Sequence, residues 1–272
     1  MIPVLFDSER CLMLTYPEID PVIFSIGFLK IRWYGLMYVV GFLLAWWIAR
    51  RRALKPWSVI KPGQVDDLVF YAMLGVIVGG RLGYALFYGT EQLLSDPLYL
   101  FRITEGGMSF HGGLAGVMIA MWLFARRGLG VSPWGVMDFV APLAPLGLFF
   151  GRIGNFINGE LWGRPTDVPW GFEVNGVVRH PSMLYEAVLE GLVLFAVVWT
   201  FSGKERPFMS VSGVFLFCYG VFRFLVEFVR VPDSHIGYLA MGWVTMGQVL
   251  TLPMILGGLS LLILAYRRRA PA

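Results

Sequence analysis

Residues 236–266 run for 31 positions without an aspartate, glutamate, lysine or arginine. A helix crosses a bilayer with about 20 mainly apolar residues, so this run excludes an ordinary water-soluble fold for its part of the chain. It does not stand alone. Residues 106–125 form a second uncharged run of 20, and residues 33–49 a third of 17. Charged residues make up 15% of the 272, where a soluble domain carries roughly a quarter. The fold class read from these runs is an all-α integral membrane protein.

Seven apolar segments are candidate spans: 34–50, 67–88, 111–126, 134–152, 181–201, 211–229 and 243–266. The segments after spans one, three, five and seven hold twelve lysines and arginines in little chain, among them Arg50, Arg51 and Arg52 and the terminal Arg267, Arg268 and Arg269. The other side holds eight over far more chain. By the positive-inside rule this predicts an outer N-terminus and a cytoplasmic C-terminus. The alternation of basic loops favours an odd number of spans. One transmembrane domain is expected over 1–272, with an outer loop at 154–180. Within that loop, two β-type runs flank Asn175-Gly176, the composition of a hairpin turn. Residues 23–35 also read as extended, so a small outer cap containing short strands is expected.

Several function classes drop out. The start of the chain carries acids and prolines where a cleaved signal needs a basic end and an apolar core. Cys11 and Cys218 suggest no disulfide framework. The formal charge of +4 is spread by topology rather than gathered on a soluble face, so nucleic acid is not expected as a partner. There is no phosphate-binding GxxxxGK[ST] loop and no HExxH or paired CxxC. His111, His180 and His235 lie far apart, so neither metal nor cofactor is expected.

Charge inside a membrane is costly and asks for a partner or a task. Asp138, near the inner end of span four, reads as solvated. The other polar groups gather toward the outer leaflet: Tyr34 opening span one, His111 opening span three, Arg152 and Asn155 closing span four. Glu186 and Glu190 stand in the outer half of span five, Arg223 and Glu227 in that of span six. Arg81 lies within span two. Arg223 and Glu227 are spaced i, i+4 and can pair along their helix, whereas Arg152 has no acid three or four residues away. Two arginines at headgroup depth suit a phosphate, which the guanidinium fork grips bidentately. Glycines around His111 permit close approach and suggest a hinge, and His180, before Pro181, reads as structural. From these residues alone the chain is a membrane protein with an outer-leaflet site for an anionic lipid. Such a site suits an enzyme, a carrier or a purely structural protein. A carrier needs access from both faces, yet the polar groups favour one. A structural role leaves Arg152 and His111 unexplained.

The segment "GRIGNFINGELWG" at 151–163 resembles the signature of the prolipoprotein diacylglyceryl transferases, G-R-x-G-N-F-x-N-x-E-x-x-G. The likeness extends through "DPVIFSIG", "WYGLMY", "GGRLGY", "DPLYLFR", "GGMSFHGG", "RHPSMLYE", "YGVFRFLVEFVR" and "TMGQ". The resemblance implies an enzyme of the bacterial inner membrane. Such an enzyme moves the diacylglyceryl group of phosphatidylglycerol to the lipobox cysteine of a preprolipoprotein signal peptide and releases glycerol 1-phosphate. It further implies that Arg152 and Arg223 hold the phosphate and that His111 serves as base for the thiol. Asn155, Asn158, Glu160 and Gly163 would shape the site, with Tyr34, Tyr219 and Glu227 beside it.

Overall fold

The structure is a computed structural model that describes residues 14–27, 29–102, 107–232 and 237–267. The acidic start of the chain, Cys11, His235 and the terminal Arg268 and Arg269 lie outside these residues. In chain order the elements are β1 (Leu14–Thr15), β2 (Val22–Ile26), β3 (Leu29–Arg32), α1 (Trp33–Ala53), α2 (Val65–Phe87), α3 (Thr90–Ser95), α4 (Phe110–Leu123), α5 (Pro133–Val140) and α6 (Ala144–Ile157). There follow β4 (Phe172–Val174), β5 (Val177–Arg179), α7 (Ser182–Glu186), α8 (Leu194–Phe201), α9 (Ser210–Val226), β6 (Tyr238–Ala240), β7 (Val244–Thr245) and α10 (Met246–Arg267). A π-helical turn at Phe124–Leu129 continues α4, and another at Ala187–Val193 joins α7 to α8.

Four helical stretches are long and apolar enough to cross a membrane: Trp33–Ala53, Pro62–Phe87, Ser182–Phe201 and Met246–Arg267. A fifth results if α5 and α6, bent by 43° at their junction, count as one. Helices occupy all seven expected segments, but α4 reaches span length only with the π turn that continues it, and α9, with 17 residues, is shorter. At 1.5 Å per residue α9 reaches about 25 Å, against a hydrocarbon core of about 30 Å. The long helices turn large apolar side chains outward, Leu43 at 59% and Leu256 at 64% exposure. Faces of this kind belong against lipid. The protein is a helical membrane protein.

The chain divides into two compact units, one of residues 46–140 and the other of residues 1–45 with 141–272. In the first unit, α2 and α4 meet through glycine. A Cβ on Gly116 would stand 2.1 Å from the Gly75 carbonyl oxygen, and one on Gly79 2.4 Å from that of Gly112. Gly75, Gly79 and Gly83 recur every fourth residue, the spacing that lets membrane helices touch along their backbones. The hinge expected at His111 is therefore corrected: Gly112 and Gly113 lie inside a regular helix, capped where Ser109 Oγ accepts from Gly112 N at 3.2 Å. His111 is exposed in the first turn, its ring edge-on to Phe110.

Arg81, 3% exposed, serves the loop after α3. It donates to the carbonyl oxygens of Leu100, Gly107 and Tyr99 and stands over the Tyr99 ring. Asp138, expected in solvent, is buried at 7% exposure. Its carbonyl oxygen accepts from Arg52 Nη2 at 3.2 Å. The basic end of α1 covers it, a pairing far apart in sequence and so invisible in local spacing.

In the second unit the extended 23–35 stretch folds back on itself. β2 and β3 pair antiparallel across Gly27, whose φ is +60°, and α1 starts at Trp33. β4 and β5 form a hairpin with Asn175 at φ +52° and Gly176 at φ +76°. Two positive φ angles in a two-residue turn match the right-handed twist of the strands. β1 adds parallel to β4. Tyr16, just after β1, packs edge-on against Phe156 and Trp162. Its hydroxyl lies 2.8 and 2.9 Å from the carbonyl oxygens of Phe156 and Ile157, and so caps the end of α6. α9 and α10 again approach through glycine, a Cβ on Gly258 falling 2.4 Å from Phe217 N. Leu194, Val198 and Val211 form a core under Phe215, Tyr219 and Phe222.

Gly116→Val drives a side chain into the α2 backbone, and overpacking of this kind costs at least about 1–3 kcal/mol. Gly147→Ala, where no atom lies within 4 Å of the added carbon, leaves stability unchanged or slightly raised. Thermal unfolding of the two variants in detergent checks the contrast.

Candidate active site

The segment 151–163 builds a polar chain at the end of α6. Arg152 and Asn155 are one turn apart on that helix, and Arg152 Nη1 donates to Asn155 Oδ1 at 3.4 Å. The helix ends at Ile157, and Gly159 at φ +68° and Leu161 at φ +60° reverse the chain. That reversal brings Glu160 back under the helix end. Its two carboxylate oxygens accept from Asn155 Nδ2 at 3.3 Å and Asn158 Nδ2 at 2.9 Å. Gly163 leaves room for a crossing: a Cβ there would stand 2.5 Å from Val229 O and 2.9 Å from the His180 Cβ. Its N–H donates to His180 O at 2.8 Å.

Around Arg152 stands a cluster of three arginines and three glutamates. Glu186, fully buried, receives Arg152 Nε on one oxygen at 2.5 Å and Arg223 Nη1 on the other at 3.2 Å. Arg230 Nη1 donates to that second oxygen as well. Glu190, also fully buried, lies in the π turn with its oxygens 3.9 Å from Arg152 Nη2 and 3.8 Å from Arg223 Nη1. Glu227 closes the group, one oxygen 3.1 Å from Arg223 Nη2 and 3.4 Å from Arg230 Nε. The formal charges balance, three against three. The arginine side chains keep about a fifth of their surface exposed, while Glu186 and Glu190 keep none. A ligand therefore meets cations first.

The reading of Arg152 as an arginine without an acid is corrected here. Helical spacing searches only the residue's own helix, and Glu186 reaches it from another. Tyr34 presses its ring against Gly154, where a Cβ would fall 2.7 Å away, and its hydroxyl lies 3.2 Å from that of Tyr38. Tyr219 sits on α9 one turn before Arg223, stacked on Phe215. A pocket of about 530 Å³ opens beside Tyr34 and Asn158, with Lys30 and Arg32 at its wall and Leu36 and Val39 on its apolar side. The second unit thus gathers Arg152, Asn155, Asn158, Glu160, Arg223 and Glu227. It places Tyr34, Gly163 and Tyr219 against their backbone and helices. His111 belongs to the first unit. Glu186 and Glu190 were visible among the outer-leaflet polar groups but not as the partners of Arg152 and Arg223, and Arg230 was counted only as a loop charge. Among the described residues no three His, Cys, Asp or Glu side chains group as a metal site would.

Removing a buried partner strands the remaining charges, at a cost of about 3–5 kcal/mol. Glu186→Ala is accordingly expected to lower the unfolding midpoint far more than Glu160→Ala, whose carboxylate sits at the exposed rim. His180, outside the spans, offers a pH test. Burial pushes its imidazole below the ordinary value, with Asp167 pulling the other way. A lowered folded value means the unfolded chain binds the proton more readily, so this stability is present above about pH 6.5 and is lost as pH falls. Unfolding midpoints taken from about pH 8 to pH 5 are expected to drop less in His180→Gln than in the parent.

A family model described as prolipoprotein diacylglyceryl transferase matches residues 21–264. A phosphatidylglycerol–prolipoprotein diacylglyceryl transferase of Oleidesulfovibrio alaskensis is 60% identical over 263 residues, 96% of this chain and 98% of the relative. The protein of that name from Methylococcus capsulatus is 60% identical over 262 residues, 95% of this chain and all of the relative. That of Pseudomonas aeruginosa is 56% identical over 261 residues, covering 95% and 98%. With the match running through both units and through the whole arginine–glutamate cluster, the chain belongs to the prolipoprotein diacylglyceryl transferase family.

Proposed function

We propose that the protein transfers the diacylglyceryl group of phosphatidylglycerol to the lipobox cysteine of a preprolipoprotein signal peptide. The products are a thioether-linked lipid and glycerol 1-phosphate. We place it in the bacterial inner membrane with seven spans, an outer N-terminus, a cytoplasmic C-terminus and its site toward the outer leaflet. The observation that carries this reading is the pair of guanidinium groups of Arg152, near the start of the signature segment, and Arg223, on α9, both held by the fully buried Glu186.

A cysteine thiol must lose its proton to attack, and His111, exposed in the first turn of α4, is proposed to accept it. The thiolate then attacks the glyceryl carbon that bears the phosphate ester oxygen. A carbon–sulfur bond forms as the carbon–oxygen bond breaks, and the electron pair passes to the phosphate. Negative charge grows there, and Arg152 and Arg223 are proposed to receive it. Both guanidinium groups are positioned before the lipid arrives, because Glu186 and Glu227 already hold them. Preorganised donors of this kind do not have to reorient during the reaction. Asn155, Asn158 and Glu160 keep Arg152 in its rotamer, Gly163 lets the loop cross beneath, and Tyr34 and Tyr219 border the site. Lys30 and Arg32 at the neighbouring pocket would draw an anionic headgroup toward it.

Purified protein in detergent, given phosphatidylglycerol and a lipobox peptide, is expected to release glycerol phosphate while the peptide gains a diacylglyceryl mass. A cysteine-to-serine peptide gives neither. Arg152→Ala and Arg223→Ala each lower kcat by about 10²–10³, and lysine restores only part, since a point charge replaces a fork. Near-parental turnover in either alanine variant overturns the phosphate role. Lipid binding without release shifts the reading to a carrier.

A further inference from the structure

The start of α10 carries a reciprocal cap. Thr245 N donates to Gln248 Oε1 at 3.0 Å, and Gln248 N donates to Thr245 Oγ1 at 3.2 Å. This is the Thr-x-x-Gln capping box, a device for starting a helix. At most helix starts its role ends there. Here the Thr245 hydroxyl also lies 3.1 Å from Glu227 Oε1. Because its oxygen accepts from Gln248, its single hydrogen points to the carboxylate. Thr245, Gln248 and Glu227 are 2%, 1% and 5% exposed, so water offers no ready replacement.

The two oxygens of Glu227 thus have separate duties: Oε1 takes Thr245, and Oε2 takes Arg223 and Arg230. Gly247 completes the seat. A Cβ there would stand 2.5 Å from both Cδ and Oε1 of Glu227, so the carboxylate rests directly on the first turn of the helix. The amide end of a helix favours a negative group placed there. Without the hydroxyl, the carboxylate can rotate about its last bond, and Arg223 loses the reference that fixes Nη2.

We infer that Thr245 is a positioning residue of the reaction: its hydroxyl orients Glu227, and through Glu227 the guanidinium of Arg223. The inference rests on the transferase reading and deepens it. Gln248 separates the two duties of Thr245, since its side chain accepts from Thr245 N and so serves the helix start.

The test compares Thr245→Val, Thr245→Ser, Gln248→Ala, Glu227→Gln and the Thr245→Val/Glu227→Gln double variant, with kcat, KM for each substrate and unfolding midpoint measured for all. Thr245→Val is expected to lower kcat at least about tenfold, the usual scale for losing a hydrogen bond to a charged group, with KM for the peptide unchanged. Thr245→Ser restores kcat. Gln248→Ala lowers the unfolding midpoint as Thr245→Val does but keeps kcat. The double variant is no slower than the slower single, as expected for groups acting in one chain. The inference is overturned by parental kcat in Thr245→Val, by an equal kcat loss in Gln248→Ala, or by losses that multiply in the double variant. A folded parent protein without transferase activity overturns the reading of the function and this inference with it. An active parent with multiplying losses overturns this inference alone.

Discussion

The interaction on which the site depends is one carboxylate shared by three cations. Glu186 has no exposed surface, and Arg152, Arg223 and Arg230 all reach it. An isolated carboxylate in a low-dielectric interior is strongly disfavoured, so Glu186 is tolerable only while the arginines stay. The arginines in turn come from α6 and from both sides of the end of α9. One acid therefore fixes the relative placement of two helices and the direction in which their guanidinium groups face. Glu190, a turn further on, adds a second negative charge beside two largely buried arginines. It sits at the longer distances of the cluster, 3.8 and 3.9 Å, and lies in a π-helical turn, a distortion that often accompanies function.

Glycine explains how such a cluster can be brought together without a water-driven collapse. Lipid offers helices no hydrophobic incentive to associate, so contact has to come from close backbone packing and polar links. The chain spends many of its 33 glycines at such places: Gly75, Gly79 and Gly116 between α2 and α4, and Gly213 and Gly258 between α9 and α10. Others serve the site itself. Gly163 lets a loop pass under Val229, Gly154 admits the ring of Tyr34, and Gly247 admits Glu227.

What the sequence discloses follows the range of each interaction. The Asn175-Gly176 turn was legible because its chemistry is contained in two residues. The Arg223–Glu227 pair was legible because it obeys helical spacing. Hydropathy located the helices, but their lengths depend on caps and breaks such as Ser109 and the bend between α5 and α6, which hydropathy does not register. The partners of Arg152 were hidden because they sit on another helix. Asp138 looked solvated for the same reason, since Arg52 comes to it from the far end of α1. The link from Thr245 to Glu227 joins a helix cap to an acid at the end of the preceding helix, which local spacing does not register.

The cap that Tyr16 places on α6 has a consequence for timing. Tyr16 is followed by the whole of α1 and α2 before its partners Phe156 and Ile157 exist, and the neighbouring Leu14 waits for Phe172. At about 5–20 residues per second of synthesis, the delay is on the order of ten to thirty seconds. During that interval the first strand has no sheet to join, while the helices between are already emerging into lipid. Closure of the signature segment is thus a late event in biogenesis, made by the earliest part of the described chain.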